Sequence, residues 1–204
     1  MPGPAPHRRL IVGGALALAA AAALLVWAVT LGGADGTPLR AQPISPSRAA
    51  PLTRGTDSDG RSVSVPVSGR PAIVTFLYTH CPDICPLTAQ EISQALTRAG
   101  ARASDIDVVA ISVDPAGDTP AAAKEFLARH GLTGRMRYVV GTRGELRPLW
   151  SSWQIAAQAD GPRSIAHSAR VVLVDRDGRQ VGAYSTGVPI DIDDLAADIR
   201  TLIG

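Results

Sequence analysis

Three patterns of apolar and polar positions follow one another along the chain. Leu10 to Leu31 is apolar and free of charge, and His7-Arg8-Arg9 stand before it. Gly32 to Pro51 is rich in Gly, Pro, Ala and Ser and has no hydrophobic period. Beyond residue 52, short apolar runs alternate with amphipathic stretches. Asp57-Ser58-Asp59-Gly60 is a turn signal, with a calcium-loop look but no bidentate Glu at the needed offset. An alternating strand follows over Arg61–Val67, then a turn at Ser68-Gly69-Arg70-Pro71. Ala72–Tyr78 is apolar and rich in β-favouring residues, as a buried strand would be. Pro86–Ala99 places Ala89, Ile92, Leu96 and Ala99 on one helical stripe that ends at Gly100. Ile106–Val113 is a second nearly continuous apolar strand, of the kind covered on both faces of a sheet.

Thr119-Pro120 predicts the start of another helix, with Thr119 as N-cap and Pro120 in the first turn. A short strand is expected over Tyr138–Gly141 and a helix over Thr142–Gln154, with Trp150 and Trp153 on one face. The Asp177-Gly178 turn joins Val171–Val174 and Gln180–Tyr184 into a hairpin. A last helix from near Asp191 carries Ile192, Leu195, Ile199 and Leu202 on its core stripe. Strands, then alternating strands and helices, then a hairpin and a helix make an α/β chain with a mixed sheet. This order fits a thioredoxin-like layout flanked by helices, with extra N-terminal β-strands.

The run from Leu10 to Leu31 is long enough to cross a bilayer as a helix. Its basic flank predicts a cytoplasmic N-terminus over residues 1–9 and an extracytoplasmic remainder. A cleaved signal peptide is the competing reading, with Gly32-Gly33-Ala34 near its end. The run exceeds the usual signal core of about 7–15 residues, so an anchor over 10–31 is expected. Residues 32–51 then form a flexible tether, and 52–204 the single folded domain on a cell membrane crossed once. A formal net charge of +2, with no basic stripe interleaved with aromatics, excludes a nucleic-acid surface.

The chain has only two cysteines, Cys81 and Cys85, in Thr79-His80-Cys81-Pro82-Asp83-Ile84-Cys85-Pro86. They fall where an apolar strand turns into a helix, a place where α/β sheets bind ligands. The positive end of the helix dipole there favours thiolate over thiol. A spacing of four puts the Cα atoms roughly 6 Å apart, given a rise of about 1.5 Å per residue. The pair can form a disulfide or reach one metal ion. Soft thiolates select soft metals such as Cu(I), and two sulfurs leave the shell incomplete. The best further candidate is His167, although a loop histidine read alone is simply a surface residue. His80 is a second candidate, but its adjacency to Cys81 makes joint coordination awkward. Asp83 either tunes the thiolate or begins the helix. Asp114 and Asp118 read as turn and cap residues in a loop that can line the same cleft. An oxidising compartment closes an unprotected pair, so a copper site here requires a thiol reductant nearby.

Three motifs in order now converge: Phe76 to Pro86 around the cysteines, Ile111-Ser112-Val113-Asp114-Pro115 with Asp118-Thr119-Pro120, and His167-Ser168-Ala169 before Val172-Leu173-Val174-Asp175. From about Thr56 onward the chain resembles the SCO/SenC family. The resemblance implies a membrane-tethered thioredoxin-like domain that binds one copper ion, Cu(I) or Cu(II), through Cys81, Cys85 and His167. It implies a role in maturing the binuclear copper centre of cytochrome c oxidase subunit II, by copper delivery, by thiol reduction, or both. Two positions depart from the family pattern. Ala166 stands where an acidic residue often precedes the histidine, and Gly117 where an arginine is often found. A thiol–disulfide oxidoreductase that carries no metal is the alternative, using Cys81 and Cys85 as its redox pair. Peroxidase chemistry on the same scaffold is a more remote one.

Overall fold

The computed structural model describes residues 38–102, 104–155, 158–159, 165–166 and 170–204. Its centre is β4 (Ala72–Leu77) and β5 (Asp107–Ser112), two parallel strands in register from Ala72 opposite Asp107 to Leu77 opposite Ser112. Every residue of both strands is buried, the polar Thr75, Asp107 and Ser112 included, as their nearly continuous apolar runs require. Around them lies an eight-stranded mixed sheet in the order β1-β10-β9-β4-β5-β6-β2-β3. β6 (Arg137–Val140) extends it in parallel, and β2 (Thr53–Asp57) with β3 (Ser62–Val65) closes that edge in antiparallel fashion. On the other side, the hairpin of β9 (Arg170–Val174) and β10 (Arg179–Ser185) pairs antiparallel to β4. Gln158–Ala159 (β7) and Ile165–Ala166 (β8) make a separate short antiparallel pair.

Alternation along β4 sends Ile73 and Leu77 to one face and Val74 and Phe76 to the other. The first face is covered by α1 (Ile84–Ala99), α2 (Pro120–Arg129) and α4 (Ile192–Ile203), and the second by α3 (Arg143–Ser152). Trp150 and Trp153 are core residues on that second face. Their indole N–H groups donate to the Ser112 carbonyl and to Thr53 Oγ1, each at 2.8 Å. Both bodies are thus buried without a stranded polar atom. The Asp57 turn is a turn: its Oδ1 accepts from the amides of Asp59 and Arg61.

The expected flexible tether over 32–51 is corrected at its C-terminal end, because Gln42–Ala49 is strand β1, paired with β10 at the sheet edge. Its prolines hide it from a periodicity reading, yet proline is tolerated at an edge because one side of the strand needs no ladder donor. Gly182 lets β1 approach, since a Cβ there would stand 2.9 Å from the Ala41 side chain. Buried Asp198 on α4 fastens the start of this segment. It accepts from the amides of Arg40 (2.7 Å) and Ala41 (2.9 Å) and from the Tyr184 hydroxyl (2.6 Å). Asp198→Ala leaves three donors without their acceptor and is expected to cost about 2–4 kcal/mol. Amide exchange in β1 should accelerate more than exchange in β4, which a simple loss of global stability would not produce. The proposed anchor, residues 10–31, lies outside the described residues. Among the described residues no helix is long and apolar enough to cross a membrane.

Candidate metal and thiol site

β4 delivers the chain to Tyr78 and Thr79, and α1 leaves from Asp83. Cys81 lies in the connecting turn, its amide donating to the Tyr78 carbonyl at 3.3 Å. Cys85 is the second residue of α1. The helical i,i+4 geometry expected of the pair is therefore only half right, because Asp83 caps the helix two residues after Cys81. Asp83 Oδ1 accepts from Ile84 N at 2.6 Å, which begins the helix, and the Asp83 amide is among the donors that lower the Cys81 pKa. Contact between the cysteines is direct: the Cys85 amide donates to Cys81 Sγ at 3.3 Å.

Both sulfurs are buried, Cys81 at 7% exposure and Cys85 at 0%, and neither is in a disulfide. Their protonation is driven apart. The Cys85 thiol donates to Cys81, and together with the amides of Cys85 and Asp83 and the Tyr78 hydroxyl it brings Cys81 down to about 5, against the opposing effect of burial. The same hydrogen bond, then burial, pushes Cys85 far up. Burial, followed by the hydrogen bond to Cys81, raises Tyr78 as well. At neutral pH the site is one thiolate enclosed by donors beside one neutral thiol. That arrangement serves nucleophilic thiol exchange or capture of a soft cation.

Behind the cysteines a buried carboxylate ties three elements together. Asp118 Oδ1 accepts from the Thr79 amide at 2.7 Å, and Oδ2 accepts from the hydroxyls of Ser112 (2.6 Å) and Tyr138 (3.2 Å). Burial raises the pKa of Asp118 despite these donors. The sequence marked Asp118 as a turn or cap residue in a loop that can line the cysteine cleft. The Asp118-Thr119-Pro120 run shows the helix start, but the cross-strand partners Thr79 and Tyr138 cannot be read locally. His167 lies outside the described residues. β9 begins at Arg170, with Val171 opposite Thr75, which is the end of the sheet where β4 hands over to the cysteine turn.

Set beside known proteins, residues 53–204 match the SCO1/SenC family model, and the chain belongs to that family. The SCO1 homolog of Bacillus subtilis is 25% identical over 150 residues, spanning 71% of this chain and 78% of its own. The structure of Bradyrhizobium japonicum ScoI with copper bound is similar with a TM-score of 0.65 and 31% identity, covering 76% of this chain and 99% of that one. BsSco, described as having a disulfide switch and as a member of the Sco family of cytochrome c oxidase assembly proteins, shares the fold at a TM-score of 0.63 and 24% identity, covering 79% of this chain and 97% of its own. The thioredoxin-like mixed sheet is the fold of these relatives.

Proposed function

We propose that this chain is a membrane-tethered copper carrier that holds one copper ion through Cys81, Cys85 and His167. It delivers that ion to the binuclear copper centre of cytochrome c oxidase subunit II, or to a similar acceptor. The observation that carries the reading is the Cys81 thiolate held by the Cys85 amide and thiol at a strand-to-helix turn, in a chain of the SCO1/SenC family. Copper bound to Bradyrhizobium ScoI supports it. His167 is supported by its position three residues before β9, which begins at the cysteine end of the sheet. Residues 10–31 anchor the domain on the outer side of the cell membrane, and a thiol reductant keeps the pair open there.

A second reading rests on the thiolate and thiol side by side, the pairing a thiol–disulfide reductase needs, and on the disulfide switch described for BsSco. Mixing the copper-loaded protein with the apo soluble domain of subunit II separates the two. The carrier transfers copper to reduced acceptor thiols and loses this ability in His167→Ala. A reductase instead opens an oxidised acceptor pair without copper, and His167→Ala works as well as wild type.

A further inference from the structure

We propose a second cation site, made of His80, Asp114 and Asp118, that takes Cu(II) without using either thiol as a ligand. One ligand atom from each of the three lies within 4.8 Å of the other two. They come from different places in the chain: His80 follows β4, Asp114 follows β5, and Asp118 precedes the Thr119 cap of α2. All three are held before any ion arrives. His80 Nδ1 is 3.0 Å from Thr79 Oγ1, and the Asp114 amide donates to Ser112 Oγ at 3.2 Å. Asp114 Oδ1 accepts from the Ala116 amide, which leaves Oδ2 as its free ligand atom. Asp118 is oriented by the Thr79 amide and by the hydroxyls of Ser112 and Tyr138.

Charge asks for an ion here. Two carboxylates sit close together, and among the described residues no arginine or lysine forms a salt bridge with either. Like charges at such short range are unfavourable until a cation joins them. Gly117 closes the loop tightly over two of the ligands. A Cβ at this position would stand 2.3 Å from Asp114 Oδ2 and 3.1 Å from His80 Nδ1, so alanine would displace both without removing either.

One imidazole nitrogen and two carboxylate oxygens disfavour Cu(I) and suit a borderline divalent ion, among which Cu(II) binds most tightly. The nitrogen-and-oxygen set therefore adds a Cu(II) position next to the thiol site, with His80 and Cys81 adjacent in the chain. The second site does not depend on the thiol pair carrying metal.

The test uses the full chain in detergent with Cys81→Ser, Cys85→Ser and His167→Ala combined, so that the thiol site neither binds nor reduces the probe. Titration with Cu(II), followed by electron paramagnetic resonance, should give one ion in a nitrogen-and-oxygen environment. Adding His80→Ala or Asp114→Asn should weaken it at least about tenfold, since even an outer partner of a ligand is worth that much. Gly117→Ala should weaken it as well, with thermal melting of each variant recorded to show that it is folded. No Cu(II) binding, or binding indifferent to His80→Ala and Asp114→Asn in folded protein, overturns the site. Loss of Cu(I) binding by the wild-type thiols would leave this result untouched.

Discussion

Asp118→Ala is expected to destabilise the protein by about 3 kcal/mol or more, because it strands three donors in the interior. The Thr79 amide, the Ser112 hydroxyl and the Tyr138 hydroxyl all point at this one carboxylate. Asp118 is 3% exposed, so water cannot take its place without opening the core. The damage reaches the cysteines through the backbone: Thr79 starts the turn that carries Cys81, and its amide hangs from Asp118. Ala at exposed Asp193, which pairs with Arg98 on the surface, is the control and should cost under about 1 kcal/mol. Urea denaturation of both variants decides the matter. Equal costs would mean that Asp118 is only a loop residue, as its sequence context alone suggests.

Cys85→Ala is expected to move thiolate formation at Cys81 upward by a pH unit or more. The Cys85 thiol is the largest of the groups that bring Cys81 from the ordinary 9.0 to about 5. The backbone amides and Tyr78 remain in the variant, so the return is partial. Ultraviolet thiolate absorbance against pH is the right measurement. Alkylation rate at one pH is not, because a more basic thiolate is also a better nucleophile and the two effects offset. Stability carries the same signal. The Cys81 pKa is lower folded than unfolded, so its contribution is fully present above the unfolded value and is lost as pH falls toward 5. Wild type minus Cys81→Ser, a difference that cancels the titration of groups not coupled to Cys81, should therefore grow between pH 5 and 8. In the Cys85→Ala background the growth should begin at higher pH. A difference that stays flat across this range would mean that Cys81 is an ordinary thiol.

Much of the architecture was written in local pattern. Ala72–Leu77 and Asp107–Ser112 are buried strands because nearly continuous runs of apolar residues leave no polar face to expose. Thr119, Thr142 and Asp191 all cap helices by accepting from amides in the first turn. Edge strand β1 was not legible, since its prolines and polar residues carry no period and its pairing depends on Gly182 and Asp198, far along the chain. The site divides in the same way. Two cysteines at a strand-to-helix turn stand out in any reading, because that position gives them helix-end amides. Unequal protonation within the pair does not show in the sequence, as it arises from hydrogen bonds made only after folding. Asp118 was visible as a residue type and hidden as a keystone, because Thr79, Ser112 and Tyr138 meet it across three strands.

The central claim is that the thiol pair is a copper site, and anaerobic titration of the reduced protein with Cu(I) against a competing chelator tests it most directly. The account predicts tight binding of one ion per chain, abolished by Cys81→Ser or Cys85→Ser and weakened by His167→Ala. Failure to bind beyond the competitor, with both thiols reduced and the protein folded, would contradict it and leave a thiol reductase in its place.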